Sequence, residues 1–139
     1  MYIVTGVQMR KIGSGRADVV GLDACPARCV HPEKVESTRA GLPSPEEVGQ
    51  LSQVFKLLAD PTRARILYAL LEAGELCVCD LASTVAVTET SVSHALRLLR
   101  TAGIVRNRRE GRIIYYRLDD AHVRLLLDVS REHLSHRQA

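Results

Sequence analysis

Residues 88–118, TETSVSHALRLLRTAGIVRNRREGRIIYYRL, decide the fold. Thr88 is suited to cap a helix whose apolar stripe is Val92, Leu96 and Leu99, and Gly103 is placed to end it. The opposite face of that helix carries Thr90, Ser93, His94 and Arg97. Two β-branched or aromatic runs follow, Ile104 to Arg108 and Arg112 to Leu118, joined by Arg109-Glu110-Gly111. That pattern reads as a β-hairpin with glycine in the turn.

Upstream, Ser44-Pro45-Glu46-Glu47 offers an N-cap, a proline for the first helical position and a capping-box glutamate. The helix it opens runs to about Ala59, with Val48, Leu51, Phe55 and Leu58 at three-to-four spacing. Asp60-Pro61 starts a second helix lined by Ile66, Leu67, Leu70 and Leu71, and Gly74 closes it. A short third helix fits Val78 to Val85, with Leu81, Ala82 and Val85 inward and Ala86-Val87 as the turn before Thr88. Downstream, Asp119-Asp120 caps a last helix whose Val123, Leu125, Leu126, Leu127 and Val129 spread around more than half its circumference. Such a helix is expected to be buried on two sides, the second against another subunit. The order predicts a mainly α protein with a β-hairpin wing, an α+β chain of dimeric winged helix-turn-helix architecture.

The chain has 139 residues, 46% of them apolar and 25% charged, which suits one domain with a tail or arm. Pro26, Pro32 and Pro43 fall before Ser44, as do Gly41 and, ahead of it, four more of the nine glycines. Residues 1–43 are therefore read as a partly flexible N-terminal arm, and residues 44–139 as the winged helix-turn-helix and dimerisation domain. No run reaches the roughly 18 apolar residues that a membrane helix needs, and the opening MYIVTGVQMR lacks the basic start of a signal peptide. A cytoplasmic protein is expected, and there four cysteines read as metal ligands or redox groups in preference to structural disulfides.

Charge is distributed unevenly. Residues 44–96 hold three basic and seven acidic side chains, whereas residues 97–117 hold seven arginines against Glu110 alone. A helix entering the major groove needs short polar side chains near its start and cations nearby for phosphates. Thr88, Thr90, Ser91, Ser93, His94 and Arg97 supply the first group; Arg106, Arg108, Arg109 and Arg112 on the hairpin supply the second. A charged hairpin by itself could be only a solvated face, and a helical histidine only a surface residue. Joined to a helix-turn-helix, the two features point to double-stranded DNA.

The cysteines form two pairs, Cys25 with Cys29 in the arm and Cys77 with Cys79 at the entrance to the third helix. Four thiolates suit soft or borderline ions such as Cd(II), Pb(II) and Zn(II). In a regular helix Cys77 and Asp80 would share a face, while Cys77 and Cys79 would converge only if the helix were irregular there. A second cluster lies on the last helix, Asp120 and His122 near its start and His133 and His136 near its end. At 1.5 Å per residue these pairs are about 16 Å apart, too far for one ion. Two antiparallel copies of the helix across a dimer axis would make two Asp-His-His-His sites, a donor set that Zn(II) accepts. The plainer readings are small buried thiols for Cys77 and Cys79 and an exposed polar terminus for the histidines.

LADPTRARILYALLEAGELCVCDLA, followed by VTETSVSHALRLLRTAGIVRNRREGRIIYYRLDDAH, resembles the ArsR/SmtB family of metal-sensing repressors over roughly residues 46–136. ELCVCDLA resembles the family's third-helix metal motif and SVSHALRLLR its recognition helix. The resemblance implies a homodimer that binds a palindromic operator when metal-free, represses metal efflux or sequestration genes, and lets go on binding metal. It also implies that Cys25, Cys29, Cys77 and Cys79 form a four-cysteine site like that of the CadC-type cadmium and lead sensors. Asp120, His122, His133 and His136 are similar to the SmtB-type interhelical zinc site, except that His136 stands where the family commonly has glutamate. The 24 residues before Cys25 are longer than the family's usual lead-in, and Met9 is an alternative start.

Three other readings compete. A redox-sensing repressor would use the same cysteines by oxidation. A zinc-dependent enzyme would need an open coordination position and a base in a pocket, which histidines at a chain terminus do not offer. A metal-buffering protein would not shift a DNA fragment. A non-enzymatic regulator with a transition-metal effector is expected.

Overall fold

The computed structural model describes residues 2–5, 8–11 and 30–138. The chain divides into two units, Met1–Ser44 and Pro45–Ala139. In the first, β1 (Tyr2–Thr5) pairs antiparallel with β2 (Gln8–Lys11), Tyr2 opposite Lys11. The same unit contains helix α1 (Pro32–Gly41), with proline in its first turn, Glu33 beside it and Arg39 in the last turn. Charges of that sense at the two ends favour a helix. Sequence periodicity does not reveal α1, because none of its residues is buried and no apolar stripe runs along it.

The second unit follows the anticipated order closely. Helix α2 (Pro45–Leu58) leads into α3 (Pro61–Ala73), which Asp60 caps by accepting from the Arg63 backbone N–H at 2.9 Å. The Arg63 side chain turns back and donates from Nε to the Leu57 carbonyl at 2.7 Å, satisfying an end of α2 that would otherwise lack a partner. Gly74 closes α3 with a positive φ of 80°. Helix α4 (Val78–Val85) and helix α5 (Glu89–Thr101) then form the helix-turn-helix, with Ala86 in the left-handed region at φ 56° between them.

The core lies where α3, α4 and α5 meet. Ile66, Leu67 and Leu70 from α3, Leu81 and Val85 from α4, and Val92, Leu96 and Leu99 from α5 are nearly inaccessible to solvent, joined by Ile104, Val105 and Leu127. These are the positions at which the helical period places apolar residues. Full burial of each stabilises the fold by about 1.5–3 kcal/mol.

The hairpin differs from expectation in its turn. Strand β4 (Val105–Glu110) continues to Glu110, which stands opposite Ile113 of β5 (Ile113–Leu118). The loop is therefore the pair Gly111-Arg112, tighter than the three residues anticipated. A two-residue hairpin turn requires positive φ, and Gly111 takes it at 60°. A third strand, β3 (Leu76–Cys77), was not anticipated; it pairs antiparallel with β5 and completes a sheet in the order β3-β5-β4.

Helix α6 (Ala121–His136) closes the unit, capped by Asp120. Within the protomer only one of its faces is covered: Leu127 is buried and Val123 packs against the core, while Leu125, Leu126 and Val129 are exposed. Val48, Leu51 and Phe55 of α2 are exposed as well, so of the stripe that reads as buried in the sequence only Leu58 packs against the core within a single protomer.

Candidate metal centre and nucleic-acid interface

Cys77 is not helical. Its backbone is extended, at φ −83° and ψ 171°, because it ends β3 and at the same time is the N-cap of α4. That junction is the irregularity the thiols need in order to converge. The Sγ atoms of Cys77 and Cys79 lie 3.1 Å apart. Asp80 occupies the third position of α4, from which a carboxylate can fold back toward the N-cap. Its carboxylate and the two sulfurs lie within 4.8 Å of one another.

Cys77 is buried and Cys79 exposed, so the pair is reachable from one side. The hydrogen shared with Cys79 pushes the Cys77 thiol above its ordinary pKa; the Asp80 backbone N–H opposes this and burial adds to it. Two thiolates and a carboxylate are donors for a thiophilic cation, and they are one short of a tetrahedral set. Cys25 and Cys29 lie outside the described residues.

The residues of the second cluster are divided between the ends of α6. Asp120 accepts from the His122 backbone N–H at 2.7 Å and lies 2.8 Å from its Nδ1, contacts that hold the Asp120 carboxyl below the usual range, the backbone bond first. His133 and His136 are exposed in the last turns, with His136 Nε2 3.5 Å from Glu132. Among the described residues, only Cys77, Cys79 and Asp80 gather three such donor atoms within one protomer.

On the nucleic-acid side, Thr88 caps α5 by accepting from the Ser91 backbone N–H at 3.1 Å and donates to the Ser91 hydroxyl at 2.9 Å. Thr88, Thr90, Ser91, Ser93, His94 and Arg97 are all exposed, while Val92, Ala95 and Leu96 between them are buried. The helix thus presents a short polar surface at its N-terminal end, the shape and chemistry of a base-reading helix.

The four wing arginines are not equivalent. Arg106 pairs with Asp119 at 3.1 Å. Arg108 donates from Nε to Glu75 Oε1 at 2.9 Å and from Nη1 to Glu110 Oε2 at 2.7 Å. Arg109 and Arg112, at the tip, are exposed and form no ion pair with a described residue. Sequence reasoning did not single out Glu75 or Tyr115, and it named Asp119 only as part of a helix cap, not as a partner of Arg106. Glu75 stands two residues before Cys77, but a strand of two residues is too short for its period to be read.

A family model described as bacterial regulatory protein, arsR family, matches residues 60–107. A cadmium resistance transcriptional regulatory protein CadC homolog of Staphylococcus aureus is 41% identical over 106 residues, covering 76% of this chain and 87% of the relative. A transcriptional repressor SmtB homolog of Synechocystis is 43% identical over 110 residues, covering 79% of this chain and 83% of the relative. Among solved structures, a homodimeric winged helix-turn-helix DNA-binding domain from Mycobacterium bovis superposes with a TM-score of 0.59 at 34% identity. That superposition covers 70% of this chain and 94% of the other, which is described as a possible ArsR-family transcriptional regulator.

Proposed function

Because this chain belongs to the ArsR family and is a metal-responsive transcriptional repressor, we propose that it acts as a cytoplasmic homodimer. In this reading the metal-free dimer holds operator DNA and releases it when Cys77 and Cys79 bind Cd(II), Pb(II) or Zn(II). The observation that carries the proposal is the convergence of two sulfurs and the Asp80 carboxylate at the start of α4, the first helix of the helix-turn-helix. In this proposal Cys25 and Cys29 supply the other two donors of a four-thiolate set, in place of Asp80. Thr88, Thr90, Ser91, Ser93, His94 and Arg97 read the bases, and the wing tip meets the backbone.

Dimerisation is supported by the exposed apolar residues of α2 and α6, Phe55 and Val129 among them, and by the homodimeric M. bovis relative. A second metal site, formed by Asp120 and His122 of one protomer with His133 and His136 of another, is supported by their placement on α6. The pairs flank the exposed Leu125, Leu126 and Val129. Its nitrogen and oxygen donors make a set that Zn(II) accepts and that lacks the thiolates favoured by softer ions.

The test uses a duplex selected from a randomised library by the metal-free protein. Cd(II), Pb(II), Zn(II), Cu(I) and Co(II) are then titrated against the complex, with arsenite in the same series. Release by Cd(II) in the wild type, and its loss in a Cys77→Ser/Cys79→Ser double variant that still binds the duplex, is the expected result. Undiminished release in the double variant overturns the thiolate assignment. Release by peroxide and not by metal would favour the redox reading.

A further inference from the structure

Tyr115 of β5 stands opposite Cys77 of β3 on one side and opposite Arg108 of β4 on the other. The three residues form a single row across the sheet, and directly opposed residues place their side chains on the same face. The neighbouring row, Leu76 with Tyr116, packs against the core. The Cys77 row therefore lies on the face away from it.

Along that outer face the Arg108 guanidinium lies 4.7 Å from the centroid of the Tyr115 ring, within cation–π range. It reaches past the ring to Glu75, two residues ahead of Cys77. Nε donates to Oε1 at 2.9 Å, and Nη2 donates to the same oxygen at 2.5 Å. Nη1 is held by Glu110 of its own strand. All three guanidinium nitrogens and one ring face are thus engaged.

We propose that Glu75 and Arg108 form a strut that positions the wing relative to the Cys77-Cys79 segment, and that occupancy of the thiols reaches the DNA-binding surface through it. Arg108 is then a positioning residue and not a phosphate contact. A guanidinium shared by two carboxylates has little attraction left for a phosphate, whereas a planar fork seated on a carboxylate fixes both distance and orientation. Glu75 is joined to Cys77 by a single intervening residue, so a shift of the thiols on ligation moves the carboxylate, and the fork carries that shift to β4.

The inference rests on the thiolate-sensor reading above. Allosteric coupling is a free energy between two sites, so a strut can be removed with both sites left intact. The experiment uses the full chain, the library-selected duplex, and Cd(II) as the metal. Glu75→Gln keeps the size of the side chain and removes its charge; Arg108→Lys keeps the charge and removes the fork. Three quantities are read: metal-free affinity for the duplex, Cd(II) affinity from thiolate-to-metal ultraviolet absorbance, and the fold loss of duplex affinity on adding Cd(II).

Both variants are expected to keep the first two within about threefold, while a loss that is roughly 5- to 150-fold in wild type drops to under about threefold. Equal Cd(II)-driven losses in wild type and both variants overturn the strut. So does a drop of about one unit in the salt slope of metal-free binding for a further variant, Arg108→Ala, which removes the charge: the mark of a lost phosphate contact. If wild type binds Cd(II) without releasing DNA, the sensor reading fails first and the strut with it. Thermal melting of all three variants confirms that they fold.

Discussion

Tyr68 in α3 donates its phenol hydrogen to the backbone carbonyl of Leu127 in α6 at 3.0 Å. Leu127 is the one buried residue of α6, so this bond and that side chain fasten the last helix to the core. Replacing Tyr68 with phenylalanine keeps the ring and removes the hydroxyl donor that the carbonyl has beyond its own helix. A loss of about 1 kcal/mol is expected, read from urea unfolding of the purified protein; a change within a few tenths would mean that water replaces the phenol at no cost.

The wing arginines should separate by their partners. Arg109→Ala and Arg112→Ala remove guanidinium groups that form no ion pair with a described residue, and each should lower the slope of log affinity against log salt by about one. Arg106→Ala, whose guanidinium holds Asp119, should alter the slope much less. Equal slopes for all three variants would remove the distinction between tip and stem.

Acid should weaken the Glu75–Arg108 pair. The folded-state pKa of Glu75 lies below its ordinary value of 4.5, chiefly because Arg108 donates to it. A depressed carboxylate contributes stability that is present above the unfolded pKa and lost as pH falls through the folded one. The difference in melting temperature between wild type and Glu75→Gln should therefore be present at pH 7 and shrink steadily below about pH 4.5. A difference that persists at pH 3 would assign it to packing.

Val129 is about half exposed on α6. Val129→Asp should leave the protomer folded, since the side chain makes no part of the core, yet place a charge in the middle of the proposed dimer face. Sedimentation should report a monomer, and duplex binding should fall by at least about tenfold, since one protomer reaches a single half-site. A variant that remains dimeric would place the interface elsewhere.

Local pattern carried most of the fold. The spacing of Ile66, Leu67 and Leu70, the caps at Asp60, Thr88 and Asp120, and Gly111 in the wing each act within a few residues, and each is found where its neighbours imply. Periodicity fails for α1, which buries nothing. It also fails for β3, which is shorter than one full alternation.

What the sequence determined alone was the order of elements, the helix-turn-helix with its polar reading face, and the candidate ligands, since all of these follow from near-neighbour chemistry. Only the tertiary structure decided that Cys77 is a strand residue beside Tyr115, bringing its sulfur to Cys79, and that Arg108 is held by an acid 33 positions away while Arg109 is not. Strand pairing and ion pairing choose partners by proximity in space, and in a run of adjacent arginines no local rule says which one an acid will find. The uncovered faces of α2 and α6 belong to a further level: apolar spacing marks residues for burial, and a single chain does not bury them all.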